Sequence, residues 1–175
     1  MGPAMGPPLH CLPCRWWEGG LDRWASGLIQ ASAAFSACVR AAVDESPGAS
    51  LILGGFSQGA AVALRSACES GIRVDGLLQL SAQAPANPLS AGSLDGVSLL
   101  IAAGDADEIA PIATAEALLE ACVSAGAAGA QSSAGAVGTL LFKYQGAHEV
   151  TLDVADAVRT FIEEACARAP RACTQ

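Results

Sequence analysis

Basic side chains are scarce in this sequence: 9 lysines and arginines stand against 17 aspartates and glutamates, a formal net charge of -8 at pH 7. Nucleic acid and anionic membrane surfaces call for clustered positive charge. No basic run offsets the deficit, so neither is expected as the main partner. Long apolar runs are missing as well. No stretch of about 18 apolar residues marks a membrane span. The first fifteen residues carry prolines and glycines but no apolar core long enough for a signal peptide. The expectation is a cytoplasmic chain with no stable membrane insertion. Charge of either sign is low, at 15%, while 52% of residues are hydrophobic; that balance excludes disorder and points to a compact globular protein. At 175 residues the chain suits one domain with a real core.

Paired cysteine motifs are also lacking. The seven cysteines, at 11, 14, 38, 68, 122, 166 and 173, are odd in number and scattered. Cys11 and Cys14 form a lone C-x-x-C with no second pair, which argues against zinc or redox chemistry. Several of the others fall on helix faces, where a free thiol acts as a small buried apolar group, and a reduced compartment is expected. Histidine is rare as well: the chain has two, His10 and His148.

What is present is organised around Leu51-Ile52-Leu53-Gly54-Gly55-Phe56-Ser57-Gln58-Gly59-Ala60-Ala61. Leu51 to Leu53 reads as a buried strand, and small and apolar residues at helical spacing begin at Gln58. Between them, Gly55 to Gly59 fits G-x-S-x-G, a nucleophile elbow, whose strained strand-to-helix turn closes only when the flanking positions are nearly free of side chain.

Residues 1–14, with prolines at 3, 7, 8 and 13, read as irregular coil, 15–168 as the domain, and 169–175 as a tail. Apolar residues from Leu21 to Val43 recur at helical spacing, with a break expected near Gly27. The helix after the elbow ends at Gly71. Strands are expected over Val74–Ser81, Val97–Ala103 and Gly138–Tyr144, and helices over Ala113–Ala125 and Val150–Arg168. Ala84–Leu94 reads as a loop, and Gly126–Gly138 as a low-complexity surface insertion. Alternating strands and helices imply an α/β fold with a parallel sheet.

In such sheets reactive residues gather at the carboxyl ends of strands. That rule points to Ser57, to the acidic loop Asp105-Ala106-Asp107, and to Gly146-Ala147-His148. A serine hydroxyl needs a base within hydrogen-bond reach, and an imidazole oriented by a carboxylate is the usual one. His10 lies in the proline-rich coil, which leaves His148 as the well-placed base. Either Asp105 or Asp107 can orient it. Ser57, Asp107 and His148 follow the chain order of α/β-hydrolases.

These residues carry a family resemblance. Gly55-Phe56-Ser57-Gln58-Gly59-Ala60 resembles the G-F-S-Q-G-G/A elbow of the phospholipase/carboxylesterase group, which includes the acyl-protein thioesterases. Gly104-Asp105-Ala106-Asp107 with Ala110-Pro111 is similar to that family's G-x-x-D-x-x-V-P segment, with Ala110 where valine is usual. Tyr144-Gln145-Gly146-Ala147-His148-Glu149-Val150 resembles its Y-x-G-x-x-H-E-[IV] segment with one residue fewer before the histidine, and Trp16-Trp17-Glu18 its W-F-D element. The resemblance covers about residues 15–165 and selects Asp107 as the triad acid. It implies a three-layer α/β-hydrolase fold and hydrolysis of carboxylic esters or thioesters through an acyl-enzyme, with no metal or cofactor. The substrate would be a small ester, a lysophospholipid or an acylated protein.

The chain departs from the family at its front. The family begins with additional strands and an L-H-G-x-G-D-type loop that supplies an oxyanion donor. Leu9-His10-Cys11-Leu12 echoes that loop only superficially. The Gln58 backbone N–H is then the donor that can be assigned, and the sheet is expected to be reduced to about four strands, with one side of the elbow strand exposed. The expectation is a truncated chain, or one completed by self-association as a homodimer. Two alternatives stand beside the esterase: a catalytically impaired relative, and a fungal-type small serine hydrolase whose elbow also reads G-F-S-Q-G-A.

Overall fold

A computed structural model describes residues 21–128 and 138–168. The calls on residues 1–14, on Leu9–Leu12, on Trp16–Glu18 and on the 169–175 tail lie outside the described residues. The elements run α1 (Leu21–Glu45), β1 (Ile52–Phe56), α2 (Gln58–Glu69), β2 (Gly76–Leu80), β3 (Ser98–Gly104), α3 (Ile112–Ser124), β4 (Thr139–Tyr144) and α4 (Leu152–Arg168). The four strands form one parallel sheet in the order β1-β2-β3-β4.

Strand side chains alternate across the sheet, and the core divides accordingly. Leu53, Leu77, Leu99 and Ile101 face a large cluster with Ala60, Ala63 and Leu64 of α2 and Ala115, Leu118 and Cys122 of α3. On the opposite face Leu78, Leu100 and Ala102 meet Phe161 and Val154 of α4. The result is three layers, as the α/β-hydrolase expectation required.

The helix α1 lies on α2. It buries Ala31, Ser32, Ser36 and Val39, receives the Ser66 hydroxyl at the Ser32 carbonyl (3.3 Å), and sends Arg40 to the Ser70 carbonyl (2.9 Å) at the end of α2. A cation suits that end of the helix dipole. Gly27 does not break α1, since its turn is continuous on either side. By length and composition alone Ala25–Glu45 could cross a membrane, which corrects the reading that no run reaches that length. Core helices meet the same test.

The elbow strand extends past Leu53 through Gly54 and Gly55 to Phe56, in register with Leu78, Gln79 and Leu80. Its other side has no strand among the described residues. Ala84–Leu94 forms neither helix nor strand. Residues 129–137 of the alanine-glycine segment lie outside the described residues, but its start is packed. Ala127 and Ala128 are buried, and the Ala128 amide donates to the Val97 carbonyl (2.9 Å), so this part is not a surface insertion. The thiols divide as well: Cys122 is buried and Cys68 half-buried, whereas Cys38 and Cys166 are exposed, against the expectation of buried thiols.

Candidate active site

The site assembles where β1, β3 and β4 end. Ser57 follows β1 directly and holds φ 53° and ψ -117°, a strained backbone that a non-glycine residue keeps only when its surroundings enforce it. They do so from both sides. The Ser57 amide donates to the Leu80 carbonyl on β2 (2.8 Å), and the Ser57 carbonyl accepts from Ala60 (3.1 Å) in the first turn of α2. Beneath that turn the fully buried Gln79 donates its Nε2 to the Ala60 carbonyl (3.1 Å). Gly55 has a steric reason: a Cβ there would sit 2.2 Å from the Gly59 carbonyl carbon. Gly59 has none, as a Cβ there meets nothing within 4 Å. Only one of the two motif glycines is sterically required, which corrects the expectation for both.

Asp107 lies in the loop after β3, its side chain fully shielded from solvent. Its Oδ1 accepts the amides of Ile109 (2.9 Å) and Ala110 (2.7 Å). Burial alone would raise its pKa. The Ala110 amide, His148, the Ser81 hydroxyl and the Ile109 amide outweigh that effect and hold the carboxyl below its ordinary value. Asp107 is therefore anionic at neutral pH. Asp105, the other candidate acid, is exposed and accepts the Gly146 amide instead (3.0 Å). It shapes the histidine loop and does not touch the imidazole.

His148 follows β4. Its Nδ1 lies 2.9 Å from Asp107 Oδ2 and 3.1 Å from Oδ1, and its Nε2 lies 2.9 Å from Ser57 Oγ. Since an anionic carboxylate can only accept, Nδ1 carries the proton, and the neutral ring presents Nε2 as acceptor to the Ser57 hydroxyl. The Phe56 ring packs on the imidazole with centroids 4.7 Å apart and planes tilted by 49°. Gln58 opens α2, where helix N–H groups have no intrahelical partner, so its amide is available to a developing anion beside Ser57. The three side chains are thus in one line, a serine hydroxyl whose proton an oriented imidazole can take.

Sequence reasoning did not find Ser81, Gln79, or the role of Phe56. Ser81 stands at the end of β2 and was open to the same strand-end rule that found Ser57. Gln79 gave one signal, an amide in an otherwise apolar run.

The fold recurs among known proteins. A search of curated proteins returned no match. Among solved structures, a protein of unknown function from Agrobacterium tumefaciens is similar with a TM-score of 0.66 at 23% identity, over 79% of this chain and 63% of that one. The Bacillus cereus carboxylesterase gives 0.65 at 20% identity, over 80% and 63%. Acyl-protein thioesterase 2 of Zea mays gives 0.58 at 19%, over 83% and 65%. The chain therefore spans less than two thirds of the length of these structures. At such identities the likeness is one of fold. The sequence itself carries the assignment further, for the phospholipase/carboxylesterase family model matches residues 22–163, and the chain belongs to that family of α/β-hydrolases.

Proposed function

We propose that this protein is a serine hydrolase of carboxylic esters or thioesters, with Ser57 as nucleophile, His148 as base and Asp107 as orienting acid. The observation that carries the reading is the continuous relay of 2.9 Å contacts from Ser57 Oγ through His148 to Asp107 Oδ2.

The geometry supports one course of reaction. Ser57 Oγ attacks the acyl carbonyl carbon while His148 Nε2 takes the hydroxyl proton. Asp107 keeps the proton on Nδ1 and stabilises the imidazolium. The carbonyl oxygen becomes an anion and receives the Gln58 N–H. Collapse expels the alcohol or thiol, which takes the proton from Nε2 and leaves an ester on Ser57. Water, deprotonated by the same imidazole, then releases the carboxylic acid and restores Ser57. Ile109 and Val150 support an acyl substrate. Each stands two residues beyond a triad member and exposes an apolar side chain. Family membership and the likeness to an esterase and a thioesterase favour the same class.

A catalytically silent relative is the competing reading. One observation favours it: among the described residues only the Gln58 N–H is assigned to the oxyanion, and loss of one donor typically costs about 10²–10³ in rate. Labelling the full chain with a fluorophosphonate, beside Ser57→Ala, decides between them. Covalent labelling that the substitution abolishes is expected. A folded chain that stays unlabelled would overturn the hydrolase reading.

A further inference from the structure

Two non-glycine residues among those described hold positive φ, Ser57 at 53° and Ser81 at 45°. They occupy equivalent positions. Each stands one residue beyond its strand, and each amide donates to the neighbouring strand, Ser57 to Leu80 and Ser81 to Ala102, both at 2.8 Å. Ser57 has its role in the proposed chemistry. Ser81 is as strained and more deeply buried, with 2% of its surface exposed.

Its hydroxyl lies 3.2 Å from the phenol oxygen of Tyr144, the only tyrosine in the chain. That phenol is fixed by its ring, which packs with Ala102 and Val154. It reaches the carbonyls of Glu149 (2.6 Å) and Ala147 (3.2 Å), the two residues that flank His148. The turn bearing the imidazole is therefore held by one side chain, through a hydrogen bond to the Glu149 carbonyl and close contact with that of Ala147. Tyr144 has a single proton, and its shortest contact assigns that proton to the Glu149 carbonyl. Ser81 then donates its own proton to the phenol oxygen. Ser81 also lies beside Asp107, whose carboxyl its hydroxyl dipole helps hold below the ordinary value.

We propose that Ser81 and Tyr144 are a positioning pair for the site: Tyr144 fixes the turn that carries His148, and Ser81, at the end of β2, holds the phenol in place. The imidazole and its carboxylate come from loops 41 residues apart, and this buried hydroxyl chain ties the histidine loop to the sheet from which both loops leave. The pair acts through the triad, so this inference rests on the hydrolase reading.

The test uses the full chain with Tyr144→Phe, Ser81→Ala and Ser81→Gly, assayed for kcat and KM on a short p-nitrophenyl ester and for labelling by a fluorophosphonate. Glycine adopts positive φ without strain, so Ser81→Gly removes the hydroxyl while relieving the backbone, and separates a lost contact from a lost fold. The pair's role requires kcat to fall by about 10- to 100-fold in Ser81→Gly and Tyr144→Phe, the scale of a small misplacement of reacting groups, with KM little changed. Ser81→Gly also removes one of the groups that hold the Asp107 carboxyl below its ordinary value, and the stronger anion holds the imidazolium more tightly. The acid limb of its kcat/KM profile then moves to higher pH, whereas that of Tyr144→Phe stays in place. Asp105, Glu108 and Glu149 are the other ionisable groups in these loops; all are exposed and common to every variant, so their titration cancels. Folded Ser81→Gly and Tyr144→Phe that keep the wild-type kcat and acid limb would overturn the positioning role while leaving the hydrolase reading intact, as would a change confined to KM. A folded wild-type chain that fails to label removes the hydrolase reading, and this one with it.

Discussion

Replacing Gly55 by alanine tests the elbow more sharply than replacing Ser57 itself, because it changes one methyl group and leaves every side chain of the proposed triad in the chain. The added Cβ would lie 2.2 Å from the Gly59 carbonyl carbon, 2.4 Å from its oxygen and 2.6 Å from the Ala60 nitrogen. Ordinary contact begins at 3.4 Å, so the shortfall is 3.4 − 2.2 = 1.2 Å. No flexible side chain can swing aside, since all three obstacles are backbone in the first turn of α2. That turn would have to move by about 1 Å, and forced overpacking costs about 1–3 kcal/mol. The same displacement takes Ser57 Oγ out of hydrogen-bond range of His148 Nε2, now 2.9 Å away, and a shift of that size costs about 10²-fold in rate. Gly59→Ala is the control. Its Cβ meets nothing within 4 Å, and in a helix alanine is favoured over glycine by up to about 1 kcal/mol. Urea denaturation and the fluorophosphonate labelling rate should therefore diverge for the two variants: lower midpoint and slow labelling for Gly55→Ala, equal or higher midpoint and normal labelling for Gly59→Ala. A Gly55→Ala chain as stable and as reactive as the wild type would refute the steric account of the elbow.

Three further outcomes are expected. Gly104→Ala would place a Cβ 2.4 Å from the Gly146 carbonyl oxygen and 2.7 Å from that of Ala147, pushing the histidine loop off Asp107; labelling should slow by about 10²-fold, and an unchanged rate would show that the loop tolerates the shift. The folded pKa of Asp107 lies below its ordinary 3.8, so its contribution to stability is fully present above that pH and is lost as pH falls through the lower, folded value. In urea titrations across this range the wild type should approach Asp107→Asn in stability toward acid, and a gap independent of pH would contradict this. Burial pushes the Cys122 thiol up to about 12, with Cys68 adding to the effect; burial also raises Cys68, offset in part by the Ser93 hydroxyl. Iodoacetamide at pH 8 should modify the exposed Cys38 and Cys166 in the native chain and reach Cys68 and Cys122 only after denaturant. Peptide mapping that finds Cys122 modified at the rate of Cys38 would refute the packing of α3 on the sheet.

The order of the elements was legible in the sequence because each core strand is a short apolar run bounded by turn residues, and each helix repeats its apolar residues at helical spacing. The edges of the elements were less so. Glycine is a poor strand former, so Leu51 to Leu53 looked complete, yet β1 continues through both glycines because Gly54 must come close to Leu78 on β2. Gly27 looked like a break, but α1 packs on α2 over the turns that follow, through Ala31, Ser32, Ser36 and Val39, and the helix runs unbroken through Gly27. Ser57, Asp107 and His148 could be read from strand-end position and chain order. Position and order alone left Asp105 and Asp107 both open, because both are acidic and two residues apart, and only the family resemblance selected Asp107; the structure separates them by burial and by the amides each accepts. Ser81 and Gln79 escaped notice for a different reason. Their contribution lies in contacts with residues 19 and 63 positions away, and no local pattern records such pairs.

The order of the strands has a consequence for how this protein can be counted. Ser57 leaves one outermost strand of the described sheet and His148 the other, 91 residues apart, with Asp107 supplied from between them. On the hydrolase reading the three groups meet, and the hydroxyl becomes reactive, only when all four strands lie side by side in register. A covalent titrant of Ser57 would therefore count fully assembled molecules and pass over any with a detached edge, and the ratio of titrated sites to total protein would measure the completeness of folding.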